Sequence, residues 1–542
     1  MKFSKRIVLI STALMFHFTI LSQEHRYFVF FKDKSDSPYS LSQPQAYLSD
    51  LAIQRRQKQG IQITSTDLPV NPAYLAQINA TGGQAFYSSR WFNGAIVQMD
   101  SLELQKVQSL SFVDSIAWIA KNAKLTSERS VFQLNDSFEN SPYSTASSDL
   151  QLGMINALKM HEDGYTGADM IIAILDGGFI GAPLFKPFEH VFSSGQYLGG
   201  EDLVTYGDNP FRYSGHGTAV WSTIAAKSDS LTGTAYEANF LVYVTEDVGS
   251  ESPIEEYNWL IAAEKADSAG ADIIQSSVGY SVFNSPFSNY SYQDLDGKST
   301  VITKAANLAF DRGMIVVTSA GNEGNSSWRF VTAPADSKNV LAVGSITDEY
   351  TKSSFSSIGP TPDGRIKPDV VALGSRTTLM AGNGAIQQSS GTSYAAPLIA
   401  GLAAGIWQAN PNWTNQDVIQ AIKMTASRAL NPDNHYGYGV PNYQQAVLGS
   451  VLNVSDILSE KIKVYPNPFR NQKVFIDLSN QVIRDTLEIK VFDLKGKLIS
   501  ETTVAPNTRE IVEMQVDTSA QGVYLMTLMS PTFFKEVKLI KE

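Results

Sequence analysis

Asp176-Gly177-Gly178 follows directly on the apolar run Met170 to Leu175. An aspartate closing a buried strand, with glycines to allow a sharp turn, can hold an imidazole in one tautomer. The same residue can equally serve as a turn or helix-capping aspartate. Ser214-Gly215-His216-Gly217-Thr218 opens a stretch rich in small residues, Ala219 to Ala226. A histidine between two glycines at the head of a closely packed helix is poorly placed for a merely buried role, although a lone histidine is more often structural than catalytic. Gly391-Thr392-Ser393-Tyr394-Ala395-Ala396-Pro397 leads into a helix-compatible run, Leu398 to Gln408. That puts Ser393 in a first turn, where backbone amides are free to meet a developing negative charge and a proline is tolerated. An N-cap serine would look the same. Ser319-Ala320-Gly321-Asn322-Glu323-Gly324 comes directly after the apolar run Met314 to Thr318. Asn322 is either a left-handed turn residue or an amide aimed at an oxyanion. Together the four stretches supply a nucleophile, a base, an orienting carboxylate and an amide donor, the parts of acyl transfer by a serine.

Such side chains need a scaffold that brings them together from far apart. Between residues 150 and about 450, short uninterrupted apolar runs recur at Met170 to Leu175, Phe240 to Val244, Asp272 to Val278, Met314 to Thr318 and Val340 to Val343. Helical patterns at Ile254 to Ala269 and Thr300 to Arg312 lie between them. Apolar strands alternating with helices predict an α/β fold, a doubly wound parallel sheet covered on both faces. Chemistry in such folds gathers at the carboxyl ends of the strands, where Asp176 and Asn322 stand.

Composition narrows the remainder. With 542 residues, 43% apolar and 18% charged, the chain can bury a large core. There is no cysteine, which excludes thiol catalysis, thiolate metal sites and disulfides. Only six histidines are available as bases, and the net charge of −11 disfavours nucleic acid as a partner. Lys2, Lys5 and Arg6 before the apolar run Ile7 to Ile20, with Ser22 at a plausible cleavage point, predict that residues 1–22 are an export signal; the other reading, a membrane anchor, is disfavoured because the run is short for a bilayer.

The region from about residue 150 to 447 resembles the subtilisin-like serine proteases, the subtilases. The order Asp176, His216, Ser393, the Gly-His-Gly-Thr and Gly-Thr-Ser-x-Ala-x-Pro motifs, Ala-Gly-Asn around Asn322 and Gly164-Tyr165-Thr166-Gly167 carry the resemblance. It implies a subtilisin-like fold and a serine endopeptidase with catalytic Asp176, His216 and Ser393 and an oxyanion donor at Asn322. Ser276, Ser277, Val278 and Gly279 stand where the family pairs with an extended substrate, and Val278, Ala320 and Gly321 would line the pocket before the scissile bond. Glu323 is a further candidate there, favouring a basic side chain. Asp176 is followed by Gly-Gly where many members have Thr-Gly or Ser-Gly, and Lys227 to Thr232 is too short for the family's usual calcium loop. No metal at that place and no cofactor are therefore expected. The alternative is a catalytically inactive surface binding or adhesion protein on the same scaffold. A serine esterase is disfavoured because Ala395 stands where a nucleophile elbow carries glycine.

Two modules flank this region. Residues 24–125 alternate strands (Tyr27 to Phe31, Gly94 to Met99, Val113 to Ile119) and helices (Tyr47 to Gln59, Ser101 to Ser109) as a small α+β unit. With Trp91-Phe92-Asn93-Gly94, this unit resembles an inhibitor-type subtilase propeptide, which implies that the chain's own N-terminal module is a partner. Residues 126–149, rich in Ser, Asn and Asp, read as a linker. Residues 461–542 show period-two segments at Leu487 to Val491, Ile511 to Val516, Val523 to Leu528 and Glu536 to Ile540, the pattern of a small β-sandwich. Val464-Tyr465-Pro466-Asn467-Pro468-Phe469, Asp493 to Lys497 and Gly522-Val523-Tyr524 resemble the sorting domain of type IX secretion cargo. The resemblance implies secretion machinery as a partner, passage through the periplasm of a Gram-negative bacterium, and release or surface attachment. A monomer acting on protein or peptide substrates is expected.

Overall fold

The computed structural model of the chain describes residues 23–121, 147–452 and, with short breaks, 462–542. The signal segment 1–22 and nearly all of the linker lie outside the described residues, as do Leu494 to Gly496 of the Asp493 to Lys497 stretch.

The first unit is a four-stranded antiparallel sheet of β1 (His25–Phe31), β2 (Gln84–Ser89), β3 (Gly94–Met99) and β4 (Val113–Ala120), in the order β2-β3-β1-β4. The two central strands, β1 and β3, are largely buried on both faces for a physical reason. Tyr27, Val29, Phe31 and Val97 pack with Ile78 and Val107 from the unit's own helices, Pro72–Ala80 and Ser101–Gln108. Phe28, Ile96 and Ile119 point the other way and join Tyr257, Leu260 and Ile261 of the next unit in one core. Phe28 stacks on Tyr257 at 4.6 Å between ring centroids. The helix expected over 47–59 runs from Asp50 to Lys58, started by Ser49, whose Oγ accepts the Ala52 N–H at 3.1 Å. Helix 72–80 and β2 were not legible. The helix buries only Ile78 and β2 is rich in polar residues, so neither shows an apolar period.

The second unit is built on seven parallel strands: β5 (Ile171–Asp176), β6 (Tyr197–Asp202), β7 (Asn239–Val244), β8 (Ile273–Ser276), β9 (Ile315–Ser319), β10 (Leu341–Ile346) and β11 (Val370–Leu373). Their order is β11-β10-β9-β8-β5-β7-β6, with every pairing parallel. Along β5, Ile172 and Ile174 face the helices His216–Ala225 and Thr392–Ala409, whereas Ile171, Ala173 and Leu175 face Ile254–Ala269 and Val301–Asp311. Burial on both faces is what makes these strands uninterrupted apolar runs. β6 escaped the sequence reading because it is an edge strand of sequence Tyr-Leu-Gly-Gly-Glu-Asp. The chain runs from β5 out to β6 and β7 on one side, then crosses to β8 and onward on the other. The strand order therefore reverses at β5 and β8, and a crevice opens beyond their carboxyl ends.

The third unit pairs a three-stranded sheet, β14-β15-β18 (463–465, 473–477, 511–515), with a four-stranded one, β17-β16-β19-β20 (498–504, 487–493, 522–530, 533–541). A short hairpin, β12 (Thr377–Met380) with β13 (Ile386–Ser389), belongs to the second unit. The two antiparallel sheets of the tail share a core of Val474, Ile476, Leu487, Ile489, Val491, Met526 and Leu528, the arrangement of a sandwich. Among the described residues, no helix is long and apolar enough to cross a membrane.

Candidate active site

Asp176 ends β5 and is completely buried. Its Oδ1 accepts the Gly177 N–H at 2.7 Å, and His216 Nδ1 lies 2.8 Å from Oδ1 and 3.0 Å from Oδ2. The capping role and the imidazole-orienting role thus fall on one carboxylate. With Nδ1 directed at the acid, the neutral ring carries its proton there and keeps the Nε2 lone pair for another partner. The His216 side chain is 28% exposed and Asp176 not at all, so the pair is open on the histidine side only. His216 heads its helix, its N–H donating to Ser214 Oγ at 3.1 Å. The glycine after it is there for closeness. A Cβ on Gly217 would stand 2.5 Å from the Gly178 carbonyl, so the helix rests directly on the turn that follows Asp176.

Ser393 is the second residue of the helix Thr392–Ala409, which is buried along almost its whole length. At that position its backbone N–H has no acceptor within the helix. Pro397 lies inside this helix and cannot donate to the carbonyl four residues earlier, which is that of Ser393. Ser277 Oγ fills the gap by donating to Ser393 O at 2.8 Å, and itself accepts from Gln275 Nε2 at 2.6 Å. The Ser393 hydroxyl donates to Ser277 O at 3.4 Å, and the adjoining Tyr394 ring lies 5.9 Å from the His216 ring. The spacing of Ser393 and Pro397 is the signal that could have assigned Ser277 this supporting role.

Asn322 follows β9. The left-handed turn falls on Gly321, with φ of 102°, and not on the asparagine. Asn322 Oδ1 accepts both the N–H and the hydroxyl of Thr392, each at 2.9 Å. Gly391 offers no side chain to cap the serine helix, so Asn322 caps it from the turn after β9. This fixes the amide's orientation and turns Nδ2, its donor end, away from the helix.

The other expected residues divide by what they can offer. Ser276 is buried with its Oγ accepting from Trp259 Nε1 at 2.9 Å, leaving only backbone for a ligand. Val278 packs into the core with Ile254 and Tyr257, whereas Gly279 is exposed. Ala320 is buried, its N–H donating to Val343 O at 2.9 Å, and the Gly321 carbonyl accepts from Ser357 N at 3.0 Å. A Cβ on Gly279 would meet Thr332 Oγ1 at 2.3 Å, and one on Gly321 would stand 2.9 Å from Ser357 Oγ and 3.0 Å from Thr332 Oγ1. Thr332 and Ser357 therefore floor the space between these glycines, and nothing in their local sequence marked them. Glu323 is half-buried, its N–H donating to Ser357 Oγ at 2.9 Å. Lys227 and Thr232 pair across a tight turn.

The first unit is fastened to the second by buried charge. Asp267, on the helix Ile254–Ala269, receives Arg55, Arg56 (2.8 Å) and Arg90. Asp67 of the first unit receives Arg56 at 3.2 Å and, from the second unit, Arg312 at 3.1 Å. Burial alone would push the Asp267 carboxyl up, but the guanidiniums together outweigh it and bring it down to about 2. Glu264, one turn earlier, accepts from the Ser89 hydroxyl and from the N–H groups of Arg90 (2.9 Å) and Trp91 (3.2 Å).

Comparison with known proteins agrees with this architecture. The model of the subtilase family (peptidase S8) matches residues 167–439, that of the Bacteroidota peptidase S8 propeptide domain 26–133, and that of the secretion system C-terminal sorting domain 463–542. Subtilisin NAT of Bacillus subtilis subsp. natto is 32% identical over 301 residues, 54% of this chain and 70% of its own. Subtilisin of Bacillus pumilus is 32% identical over 301 residues, 54% of this chain and 97% of its own. Serine protease AprX of Bacillus subtilis (strain 168) is 31% identical over 315 residues, 52% of this chain and 67% of its own. The chain belongs to the subtilase family: it is a subtilisin-like serine endopeptidase with its own propeptide and a C-terminal sorting domain, destined for the outside or the surface of a Gram-negative bacterium.

Proposed function

We propose that this endopeptidase hydrolyses peptide bonds through Asp176, His216 and Ser393 by way of an acyl-enzyme. Serine is a weak nucleophile at its own pKa, so a base must take its proton as attack begins. A rotation about the Cα–Cβ bond of Ser393 turns its hydroxyl to His216 Nε2. Oγ then bonds to the scissile carbonyl carbon while the proton passes to Nε2, and Asp176 stabilises the imidazolium. The oxyanion accepts hydrogen bonds from Asn322 Nδ2 and the Ser393 N–H. The intermediate expels the amine, which takes the proton from His216, leaving the acyl group on Ser393. Water activated by His216 releases the acid and restores the serine. An extended substrate runs beside Ser276, Ser277, Val278 and Gly279, with Ala320 and Gly321 at the residue before the scissile bond.

The observation that carries this reading is the contact of His216 Nδ1 with the buried Asp176 carboxylate at 2.8 Å. It commits the ring's other nitrogen to the crevice that also receives the head of the Ser393 helix. In the same reading residues 1–22 are the signal, 24–125 the propeptide, 126–149 a linker, 150–450 the peptidase and 461–542 the sorting sandwich. The enzyme acts as a monomer on protein or peptide substrates, and its net charge of −11 fits the lack of a nucleic-acid partner. The test compares the full chain with Ser393→Ala for self-processing and casein digestion. Processing and digestion are expected from the first and neither from the second; equal digestion by both refutes the reading in favour of a non-catalytic binding protein.

A further inference from the structure

The segment that follows β7 carries carboxyl groups that the reaction does not use. Glu246 stands two residues beyond the strand, and a Cβ on Gly177 would lie 3.8 Å from its Oε2. It therefore borders the turn whose amide holds Asp176. Glu255, in the first turn of the next helix, is 1% exposed. Its Oε1 accepts the Asp247 N–H at 3.3 Å, while its Oε2 is buried with no hydrogen-bond partner among the described residues. The Tyr280 hydroxyl, also fully buried, faces Glu246 from the segment after β8 and meets no acceptor at hydrogen-bond geometry. Glu251, half-buried, completes the group.

Neighbouring acids show that this is not the fold's general habit. Glu256 is as buried as Glu255, yet its oxygens accept from the Tyr290 hydroxyl at 2.7 Å and the Ile302 N–H at 3.1 Å. Glu264 is likewise fully bonded. Among the described residues Glu255 Oε2 is the one buried carboxylate oxygen left without a partner, and it belongs to the group that borders the Asp176 turn. Burial, then the charges of Asp176 and Glu251, push Glu246 up to about 8; burial and neighbouring acids push Glu251 up to about 7 and Glu255 upward. Among the described residues no lysine or arginine offsets them, and a bound cation would relieve all three at once. The described carboxylates do not converge as metal ligands would, which favours an extended organic cation.

Geometry selects where that cation enters. In an extended peptide successive side chains point to opposite sides. If the residue before the scissile bond points toward Gly279 and Gly321, its predecessor points toward His216 and the β7 side. We propose that Glu246, backed by Glu251 and Glu255, forms a subsite for a lysine or arginine side chain at the second residue before the scissile bond. The inference rests on the peptidase reading above and adds a substrate preference to it.

Its test uses the processed enzyme and quenched peptides identical except for arginine or norleucine at that position, or at the third. The ratio of kcat/KM for arginine over norleucine cancels whatever the triad contributes to both. Wild type is expected to favour arginine at the second position by about tenfold or more, a difference of about 1.4 kcal/mol, and to show no such preference at the third. Glu246→Gln is expected to bring the ratio close to one and Glu246→Asp to keep part of it. Glu251→Gln, on the half-exposed loop, lowers it several-fold and serves should the first variant fail to fold. Equal cleavage of both peptides by wild type, or a ratio that neither glutamine variant changes, overturns the subsite while leaving the peptidase standing. Cleavage of neither peptide overturns both.

Discussion

Asp267→Asn is the sharpest test of how the propeptide is held. The substitution keeps the shape and removes the charge that Arg55, Arg56 and Arg90 surround, with both Arg55 and Arg56 at least 95% buried. Removing one partner of a buried ion pair costs about 3–5 kcal/mol, because the remaining charge stays desolvated. Here the stranded charges belong to the propeptide and regain water once it leaves, so the cost falls on the complex and not on the free enzyme. Asparagine retains some hydrogen bonding, so about 3 kcal/mol, or roughly a hundredfold, is the expected weakening. The assay follows the lag between self-cleavage and the appearance of activity on a small peptide, which reports propeptide dissociation. The variant should shorten that lag by about a hundredfold if the loss appears in the off-rate. The sign of the pH effect follows from the depressed carboxyl. Its contribution is complete above the unfolded value near 3.8 and is lost as pH falls toward about 2. Wild type should therefore gain no release from this group between pH 7 and 5, and gain it only below about 4. A lag changed less than threefold by Asp267→Asn would refute the idea that this buried cluster holds the inhibitor.

Other perturbations follow from the same geometry. Asn322→Ala should lower kcat by about 10²–10³ with little change in KM, the general effect of losing one oxyanion donor; Thr392→Val, which removes one of two bonds orienting that amide, should lower it several-fold. Ser277→Ala strands the Ser393 carbonyl that Pro397 leaves without a donor, and should cost about 1–3 kcal/mol in denaturant unfolding together with a fall in kcat. Gly401→Ala puts a methyl 1.8 Å from Thr234 Oγ1 inside the serine helix's packing, and should lower stability by about 1–3 kcal/mol in thermal unfolding. Removing residues 461–542, whose core shares no residue with the others, should leave peptidase activity intact and trap the protein in the periplasm; unchanged export would overturn the sorting role.

Local physics made much of this fold legible. The helix Ile254–Ala269 was predicted to the residue, because Gly270 in a left-handed conformation ends it. β5, β7 and β9 were found to within a residue or so, since strands buried on both faces must be continuous apolar runs. Of the elements missed, β6, β2 and helix 72–80 lie at edges or bury little, where the apolar signal fades, whereas the buried strand β11 and the helix Asn415–Met424 were missed despite their apolar residues.

At the site the same boundary holds. Residue types and glycine spacing, taken together with the family resemblance, singled out the aspartate, histidine, serine and asparagine as candidates, because sharp turns and helix heads leave a local mark. Only the tertiary structure decided how they are held. Asn322 caps a helix 70 positions away, Ser277 repairs a carbonyl 116 positions away, and Asp267 gathers arginines from a different unit. Among the described residues it also left Glu246 and Glu255 with no lysine or arginine to offset them. A carboxylate or hydroxyl carries no local sign of whether its partner is water, an amide or a distant charge. That is settled when long-range packing removes the solvent and the remaining polar groups must satisfy one another.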